Sequence, residues 1–217
     1  FGNILEACRE NKVKSLIYAS SSSVYGSNTK MPFKESDKVQ TPLSLYGATK
    51  SANELMAHSY AHLYKFSCIG LRFFTVYGPW GRPDMAPMIF ANLIKNNNPI
   101  EVFNYGKMKR DFTYISDIVE GIFRCCEKSI IRNENNEKEA YFAPHKIFNI
   151  GNSKPIELER FIELLENELE IKAIKKYKPL QDGDVSETFS DSSELFKWTG
   201  FTPNTSLEKG IKLFVKW

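Results

Sequence analysis

The sequence predicts an α/β fold on three observations. A short apolar run, SLIYAS (residues 15–20), is typical of a strand inside a parallel sheet. Apolar residues then recur every three or four positions over 43–64, the spacing of one helix face. A second apolar run, FSCIGLRF (66–73), follows directly. Strand, helix and strand in this order are typical of a βαβ unit and hence of an α/β protein.

The segment before the first strand, residues 3–10, has the pattern of an amphipathic helix. The chain does not begin with Met, and a helix that feeds an interior strand is an unusual first element. We therefore expect that a preceding part of the protein is absent from this chain. A polar loop is predicted between the first strand and the long helix, over 21–40.

A loop rich in glycine and proline, residues 78–83, marks a change of organisation. Beyond it the pattern predicts helices over 86–96, 117–128, 157–170, 192–198 and 206–216, strands over 100–104, 110–115 and 146–151, and an exposed polar loop over 133–138. Asp191 and Glu194 have the spacing of a capping box at the start of the helix 192–198, and Gly200 is a plausible stop for it.

Composition excludes several classes of protein. The 217 residues carry 29 Lys+Arg and 26 Asp+Glu, and this balance does not indicate a nucleic-acid-binding protein. No apolar run of about 18 residues occurs, so no membrane span is predicted. The four cysteines lack the spacing of a metal site, which favours a reducing, cytoplasmic setting. Among the three histidines only His58 and His62 are four apart, and a helix surface accounts for them, so no metal site is predicted.

Tyr46 and Lys50 are the residues with the clearest chemical implication. Four positions apart on a helix, they lie on one face. Tyrosine is a poor base at neutral pH, but a nearby ammonium favours the phenolate by Coulomb attraction. A serine hydroxyl from the end of the preceding strand, in SSSSVYG (20–26), would reach the same substrate oxygen. Together these groups would remove a proton from an alcohol while hydride leaves its carbon.

A Tyr-x-x-x-Lys pair alone is weak, because a packed tyrosine beside a solvated lysine has the same spacing. The serine-rich strand end and the glycine in the first helical turn strengthen the prediction. With LRFFTVYGPWGRPDMA (71–86) and RDFTYISD (110–117), the chain resembles the extended short-chain dehydrogenase/reductase family. Within it the nucleotide-sugar epimerases are most similar, and among them the UDP-glucuronate 4-epimerases.

The resemblance implies a fold and a division into domains. It implies the second part of a Rossmann-type parallel sheet plus a smaller carboxyl-terminal substrate-binding domain. Residues 1–77 would form the carboxyl half of the NAD-binding domain, with 110–128 and 146–151 returning to it. Residues 78–217 would be mainly the nucleotide-sugar domain. The family's Gly-x-x-Gly-x-x-Gly turn, which receives the dinucleotide pyrophosphate, is not formed by any of the twelve glycines.

The resemblance also implies an NAD site and a catalytic set. Tyr46 would be the base, Lys50 would bind the nicotinamide ribose and assist Tyr46, and Ser21 would hydrogen-bond the sugar O4. Ser20 and Phe74 would contact the cofactor, although core packing is the alternative for Phe74. Relatives that dehydrate the sugar carry Asp and Glu where this chain has Ser22 and Ser23, which disfavours a dehydratase.

The substrate-binding residues implied by the resemblance lie mostly in the second half of the chain. They are Ser22, Thr75, Arg82, Asn92, Phe103, Arg110, Gln181 and Asp184. Arg82 would clamp a carboxylate at C6 of the sugar, and a solvated loop arginine is the alternative. Arg110 would bind the diphosphate, unless it forms a local ion pair with Asp111. Phe103 would stack on uracil or pack in its strand, and Asn92 would touch the diphosphate or be an ordinary polar helix residue.

Gln181 departs from several sugar epimerases, which have an arginine there for phosphate, and Asp184 would accept hydrogen bonds from the uridine ribose. The activity implied is inversion at C4 of a UDP-sugar, with UDP-glucuronate as the expected substrate, through a transient 4-keto sugar. Another UDP-sugar epimerase, a decarboxylase, or a chain that binds UDP-sugar without turnover are the alternatives. Family members pair through a four-helix bundle, so the helices over 1–10 and 43–64 would form a homodimer.

Overall fold

The computed structural model describes residues 1–128, 143–181 and 185–217. The polar loop predicted over 133–138 and the site residue Asp184 lie outside these ranges. The helices are α1 (Gly2–Glu10), α2 (Leu45–Tyr64), α3 (Ala86–Lys95), α4 (Ile115–Cys126), α5 (Leu158–Leu169), α6 (Ser193–Thr199) and α7 (Leu207–Lys216). The strands are β1 (Ser15–Ser21), β2 (Ser67–Phe73), β3 (Thr75–Tyr77), β4 (Ile100–Val102), β5 (Lys109–Tyr114), β6 (His145–Ile150), β7 (Pro155–Glu157), β8 (Lys175–Tyr177) and β9 (Glu187–Thr188).

A parallel sheet with the order β1–β2–β6 organises the first part of the molecule. Ser15 pairs with Ser67 at the start of β1, and Ser21 pairs with Phe73 at its end. Both strands therefore finish at the same edge of the sheet. α2 connects them, so the predicted βαβ unit and the α/β fold class are confirmed.

The long helix α2 buries a face different from the one that its leucines suggest. Its buried residues are Gly47, Glu54, Ala57 and Ala61. The small alanines let the helix lie close to the sheet, where they pack with Leu5, Cys8, Tyr18, Phe66 and Cys68. Leu45, Leu55 and Leu63 are instead exposed, at 83%, 71% and 65%. The apolar spacing correctly predicted a helix but not which of its faces is buried.

The other face of this sheet is covered by helices from later in the chain. Ile118 and Cys125 of α4 and Leu195 of α6 pack against Ile69 and Leu71 of β2. Strand β6 pairs with β2 in parallel. The segments around 110–128 and 146–151 thus contact the parallel sheet, while the division of the chain into two domains stays a prediction.

The second core surrounds β5, which pairs with β3, β7 and β9, and it includes the separate pair β4–β8. Helices α3, α5 and α7 enclose it with an apolar cluster that contains Phe90, Phe161 and Phe214. Strands β3, β7, β8 and β9 were not predicted. Each has only two or three residues and is held by pairing with a distant segment, so no local period indicates it.

The structure differs slightly from the prediction at the start of α6. The predicted capping box at Asp191 and Glu194 does not form: the N-cap of α6 is Ser192, Asp191 accepts a hydrogen bond from the Ser193 N–H, and Glu194 pairs with Lys197. The predicted stop at Gly200 is confirmed, with φ of 70° at the helix end.

Candidate active site

A cleft of about 820 Å³ opens where the carboxyl ends of β1 and β2 meet the start of α2 and the loop after β3. In α/β proteins this edge of the sheet is where ligands bind. The predicted site residues that line the cleft are Ser20, Ser21, Ser22, Tyr46, Phe74, Thr75, Arg82 and Arg110. The sequence therefore predicted residues from five separate segments that the fold brings to one place.

The serine-rich end of β1 turns sharply into the cleft wall. Ser21 is the N-cap of a 3₁₀ turn, Ser22–Tyr25, and its hydroxyl oxygen accepts a hydrogen bond from the Ser23 N–H at 3.1 Å. The Ser21 hydroxyl also donates to the Ser23 hydroxyl at 3.2 Å. These bonds hold Ser21 at the strand end, where it faces the start of α2.

The first turn of α2 lies directly against this serine turn. Ser44 caps the helix by accepting a hydrogen bond from the Gly47 N–H at 3.1 Å. A Cβ atom at Gly47 would be 2.6 Å from the carbonyl oxygen of Ser23, closer than real Cβ contacts. Glycine at this position lets the helix carry Tyr46 up to the serines.

Tyr46 and Lys50 occupy the same helix face, as predicted. Tyr46 is 46% exposed and lines the cleft. The Lys50 ammonium lies 5.7 Å from the centre of the Tyr46 ring and donates a hydrogen bond to the Ala19 carbonyl oxygen at 3.1 Å. Lys50 is thus tied to the end of β1 with its positive charge beside the Tyr46 ring.

A buried ion pair beneath these residues was not predicted. Arg72 of β2 donates from Nε and Nη2 to the two carboxylate oxygens of Glu54, at 2.9 and 2.8 Å. The Ser20 hydroxyl donates to the same carboxylate at 2.5 Å. Burial opposes the charge of Arg72, but its bonds with Glu54 outweigh burial and raise the pKa of Arg72. Glu54 therefore joins α2 to both strands that end at the cleft.

The network continues to the 3₁₀ turn. The Arg72 guanidinium lies 4.8 Å from the centre of the Tyr25 ring, and the Tyr25 hydroxyl donates to Asn149 of β6 at 2.7 Å. The sequence does contain a sign of this network, because the charged Arg72 interrupts an apolar strand and Glu54 lies one helical turn after Lys50. Charged residues in segments predicted to be buried need partners, but the sequence does not show which partner each one has.

The end of β2 supplies Phe74 and Thr75. Phe74 is buried against Tyr25 and Phe33 and also lines the cleft, so it combines core packing with a place in the wall. Thr75 begins β3 and pairs with Phe112 of β5. The core alternative and the site prediction for Phe74 are both compatible with its position.

The loop 78–85 forms another part of the cleft rim. Trp80, at φ of 60°, is 88% exposed and lines the cleft beside Arg82. Arg82 is not simply solvated: it donates from Nε and Nη2 to Asp84, at 3.2 and 2.6 Å. This pairing raises the pKa of Arg82 and lowers the pKa of Asp84.

Arg110 and Asp111 turn to different surroundings. Arg110 lines the cleft and donates from Nη1 to the carbonyl oxygens of Lys109 and Ser186, at 3.0 and 3.3 Å. The Asp111 carboxylate is fully buried and accepts hydrogen bonds from the N–H groups of Asn152, Ser153 and Ser190 and from the Ser190 hydroxyl. Burial raises the pKa of Asp111 against the opposing effect of these bonds.

Four of the described predicted residues are not among those that line the cleft: Lys50, which donates to the Ala19 carbonyl oxygen behind Tyr46, and three residues that lie elsewhere. Among the described residues that line the cleft, Asn92, Phe103 and Gln181 do not occur. Asn92 is exposed on α3, Gln181 is exposed, and Phe103 packs against the second core. Their roles toward substrate stay predictions.

The histidines and cysteines form no metal site in the part of the chain that the structure describes, where no group of three or more His, Cys, Asp or Glu residues could hold a metal ion. Nor does any described helix combine the length and the apolar character that crossing a membrane would require. His145 instead pairs with the Tyr18 hydroxyl at 2.9 Å, and burial lowers the pKa of His145 to about 4.

Comparison with known proteins identifies the group to which this architecture belongs. The parallel sheet, with α2 joining β1 and β2, is that of a Rossmann-type protein of the short-chain dehydrogenase/reductase kind. Residues 2–151 match the NAD dependent epimerase/dehydratase family. The chain belongs to this family.

Several relatives and solved structures are similar over the whole chain. Protein CapI of Staphylococcus aureus is 50% identical over 100% of this chain and 66% of its own length. The probable UDP-glucuronate 4-epimerase of Rhizobium meliloti is 45% identical over 99% of this chain and 65% of its own length. The UDP-glucuronic acid 4-epimerase of Bacillus cereus, solved with UDP-glucuronic acid and NAD, superimposes with a TM-score of 0.86 at 30% identity. That match covers 99% of this chain and 64% of the other, so the chain spans less than two thirds of each of these relatives.

Proposed function

We propose that the protein containing this chain is an NAD-dependent UDP-sugar 4-epimerase and that its substrate is UDP-glucuronate. One observation carries the proposal: Tyr46, Ser21 and Arg82 line a single cleft, although they come from separate segments. The first two residues suit proton transfer at an alcohol, and the third suits recognition of a carboxylate. The similarity to the Rhizobium and Bacillus proteins supports the same substrate.

The residues present fit the nicotinamide end of NAD. Lys50 and Tyr46 lie beside the carboxyl end of β1, and Phe74 supplies an apolar wall to the cleft. Lys50 and Tyr46 would hold the nicotinamide ribose, and Phe74 would pack against the ring. When bound, NAD supplies a reversible acceptor for the hydride at C4 of the sugar.

The side chains of the protein would transfer the proton at the sugar O4 and stabilise the negative charge that accompanies this transfer. The Tyr46 phenolate takes the proton from the sugar O4, and the Lys50 ammonium stabilises the negative oxygen before this transfer. The Ser21 hydroxyl donates a hydrogen bond to O4 as it becomes a ketone oxygen. After the 4-keto sugar turns over in the cleft, Tyr46 returns the proton to O4 on the product.

Arg82 would select the sugar. A guanidinium holds a carboxylate through two parallel hydrogen bonds, which a neutral hydroxymethyl group cannot match. Arg82 lines the same cleft as the serines and already binds a carboxylate in this way, that of Asp84. Arg110, at the same cleft, would contact the diphosphate.

The variant Tyr46→Phe tests the proposed base. In the whole protein it should abolish turnover of UDP-glucuronate and leave UDP-sugar binding nearly unchanged, because binding comes mainly from the nucleotide. Product is measured by chromatography, which also separates epimer from decarboxylated sugar, and binding by calorimetry. Tyr64→Phe is the matched control, since Tyr64 lies on the same helix with the same 46% exposure. Loss of binding together with turnover would point to a structural tyrosine.

Arg82→Ala tests the proposed substrate. It should lower kcat/KM for UDP-glucuronate by roughly 30-fold or more, since the bound sugar would exclude water from the Arg82–carboxylate pair and truncating one partner of a buried charge pair costs about 2–5 kcal/mol. UDP-glucose, with no carboxylate, should be affected far less. Arg124→Ala is a suitable control because Arg124 is a similarly paired arginine on α4. An equal loss on both sugars would refute the carboxylate role.

We further propose that the protein forms a homodimer through α1 and α2. Leu55 and Leu63 of α2 and Ile4 of α1 expose large apolar side chains that a partner helix pair would cover. Light scattering on the whole protein should give the mass of a dimer at micromolar concentration, and a monomer mass would refute this. The cytoplasmic setting expected from the cysteines stays a prediction.

A further inference from the structure

The pair formed by Arg82 and Asp84 has a consequence for substrate choice. Arg82 lines the cleft, and Asp84 occupies one full edge of its guanidinium, Nε and Nη2, through both carboxylate oxygens. The two side chains are 65% and 63% exposed, so solvent and ligands reach the pair. Asp84 therefore already occupies the Arg82 guanidinium, the group that we propose to bind the sugar carboxylate.

The short connection between the two residues favours this arrangement. Only Pro83 separates them, and its ring fixes φ near −65°, which restricts the backbone between the two side chains. The pairing with Arg82 also lowers the pKa of Asp84, so Asp84 is an anion at neutral pH. The competitor thus carries the same charge and the same planar geometry as a uronate carboxylate.

A uronate that approaches Arg82 has two ways to bind, and Asp84 opposes both. At the Nε–Nη2 edge it must displace Asp84. At the other edge it binds with the Asp84 charge on the same guanidinium, and two carboxylates around one cation repel each other. A neutral hydroxymethyl group neither needs the fork nor meets this repulsion.

We propose that Asp84 is a specificity-determining residue that competes with the sugar carboxylate for Arg82. It weakens binding of UDP-glucuronate relative to a UDP-sugar with a neutral C6. The proposal rests on the proposed role of Arg82, but it adds a residue that acts against the preferred substrate. Because exposed ion pairs are weak, substrate displaces Asp84 readily, and the effect on affinity is modest.

Equilibrium binding tests the proposal independently of turnover. The dissociation constants of UDP-glucuronate and UDP-glucose are measured by calorimetry for the whole wild-type protein, for Asp84→Asn and for Glu120→Gln. Glu120 forms a comparably exposed pair with Arg124 on α4, so its variant removes one negative charge without touching the cleft.

In Asp84→Asn, UDP-glucuronate should bind about two- to fivefold tighter, the range set by the small worth of an exposed ion pair. UDP-glucose should bind within error as in wild type, and Glu120→Gln should change neither. An unchanged ratio of the two affinities, or an equal change on both sugars, would overturn the proposal. Weaker uronate binding would also overturn it, because Asp84 would then be holding Arg82 in place for the substrate.

The outcomes separate this inference from the proposed function. If wild type binds UDP-glucuronate but does not convert it, the proposed epimerase activity fails while the affinity ratio still decides the role of Asp84. If conversion occurs and the ratio does not respond to Asp84→Asn, only the inference about Asp84 fails.

Discussion

Replacing Glu54 by glutamine should destabilise the protein strongly, although the two side chains have nearly the same shape. The Glu54 carboxylate accepts three hydrogen bonds, two from Arg72 and one from Ser20. An amide has one acceptor oxygen, and its NH₂ group would face N–H donors of Arg72. The Arg72 charge would then lie in the interior, at 4% exposure, without a counter-charge.

The magnitude follows from this burial. Breaking one side of a buried pair typically costs about 3–5 kcal/mol. This is a large share of the roughly 5–15 kcal/mol that holds an ordinary domain folded. Glu120→Gln is the control, since its pair with Arg124 is 43% and 46% exposed. Its expected loss is below about 1 kcal/mol.

Urea denaturation of the whole protein, followed by circular dichroism, gives both free energies of unfolding. A second variant separates charge from packing: Glu54→Gln combined with Arg72→Met leaves no buried charge and should recover part of the loss. A loss below about 1 kcal/mol in Glu54→Gln would refute the reasoning, because it would mean that Arg72 is solvated or finds another partner.

Two other perturbations test the fold around the cleft. Gly47→Ala should lower the free energy of unfolding by about 1–3 kcal/mol and reduce activity, because the added Cβ would meet the Ser23 carbonyl oxygen. Thermal melts and rates test this, with Gly2→Ala as the control because no atom lies within 4 Å of a Cβ at Gly2. Acid should also destabilise the protein: the pKa of His145 is lowered to about 4 when folded, so between pH 6.5 and 4 the unfolded chain binds a proton that the folded one does not. Stability should fall by at most about 2 kcal/mol from pH 7 to pH 5, and His145→Gln, but not His62→Gln, should flatten this dependence in urea titrations.

The sequence predicts most of the fold because long elements have a local period. α2 and the strands β1 and β2 are clear from apolar spacing alone. The short strands β3, β7, β8 and β9 exist only through their partners, so the sequence contains no comparable signal for them. The same limit explains α2, where the period predicts a helix but small residues, rather than leucines, form its buried face.

The same limit applies to the candidate site, where locally readable motifs were predicted and contacts between distant residues were not. Tyr46 and Lys50 were predicted because they form a compact motif whose chemistry is readable locally, whereas the resemblance singled out Ser21 within the serine-rich strand end. The pair Glu54–Arg72 joins residues 18 positions apart in sequence on different elements, and only the folded chain shows that they meet. Asn92, Phe103 and Gln181 were assigned through resemblance alone, and their places in the fold do not bring them to the cleft.

The buried carboxylate of Asp111 has a consequence for the alignment of β5. Side chains alternate along a strand, so a shift of β5 by one residue would bring either Arg110 or Phe112 into the pocket that holds Asp111. The pocket that holds Asp111 presents backbone N–H donors from Asn152, Ser153 and Ser190, and a guanidinium has no acceptor to meet them. A slip in one direction would therefore bury a cation among N–H donors, and a slip in the other would leave those donors facing an apolar ring and turn Asp111 toward the cleft. The Asp111 pocket thus fixes the register of β5 and keeps Arg110 at the cleft.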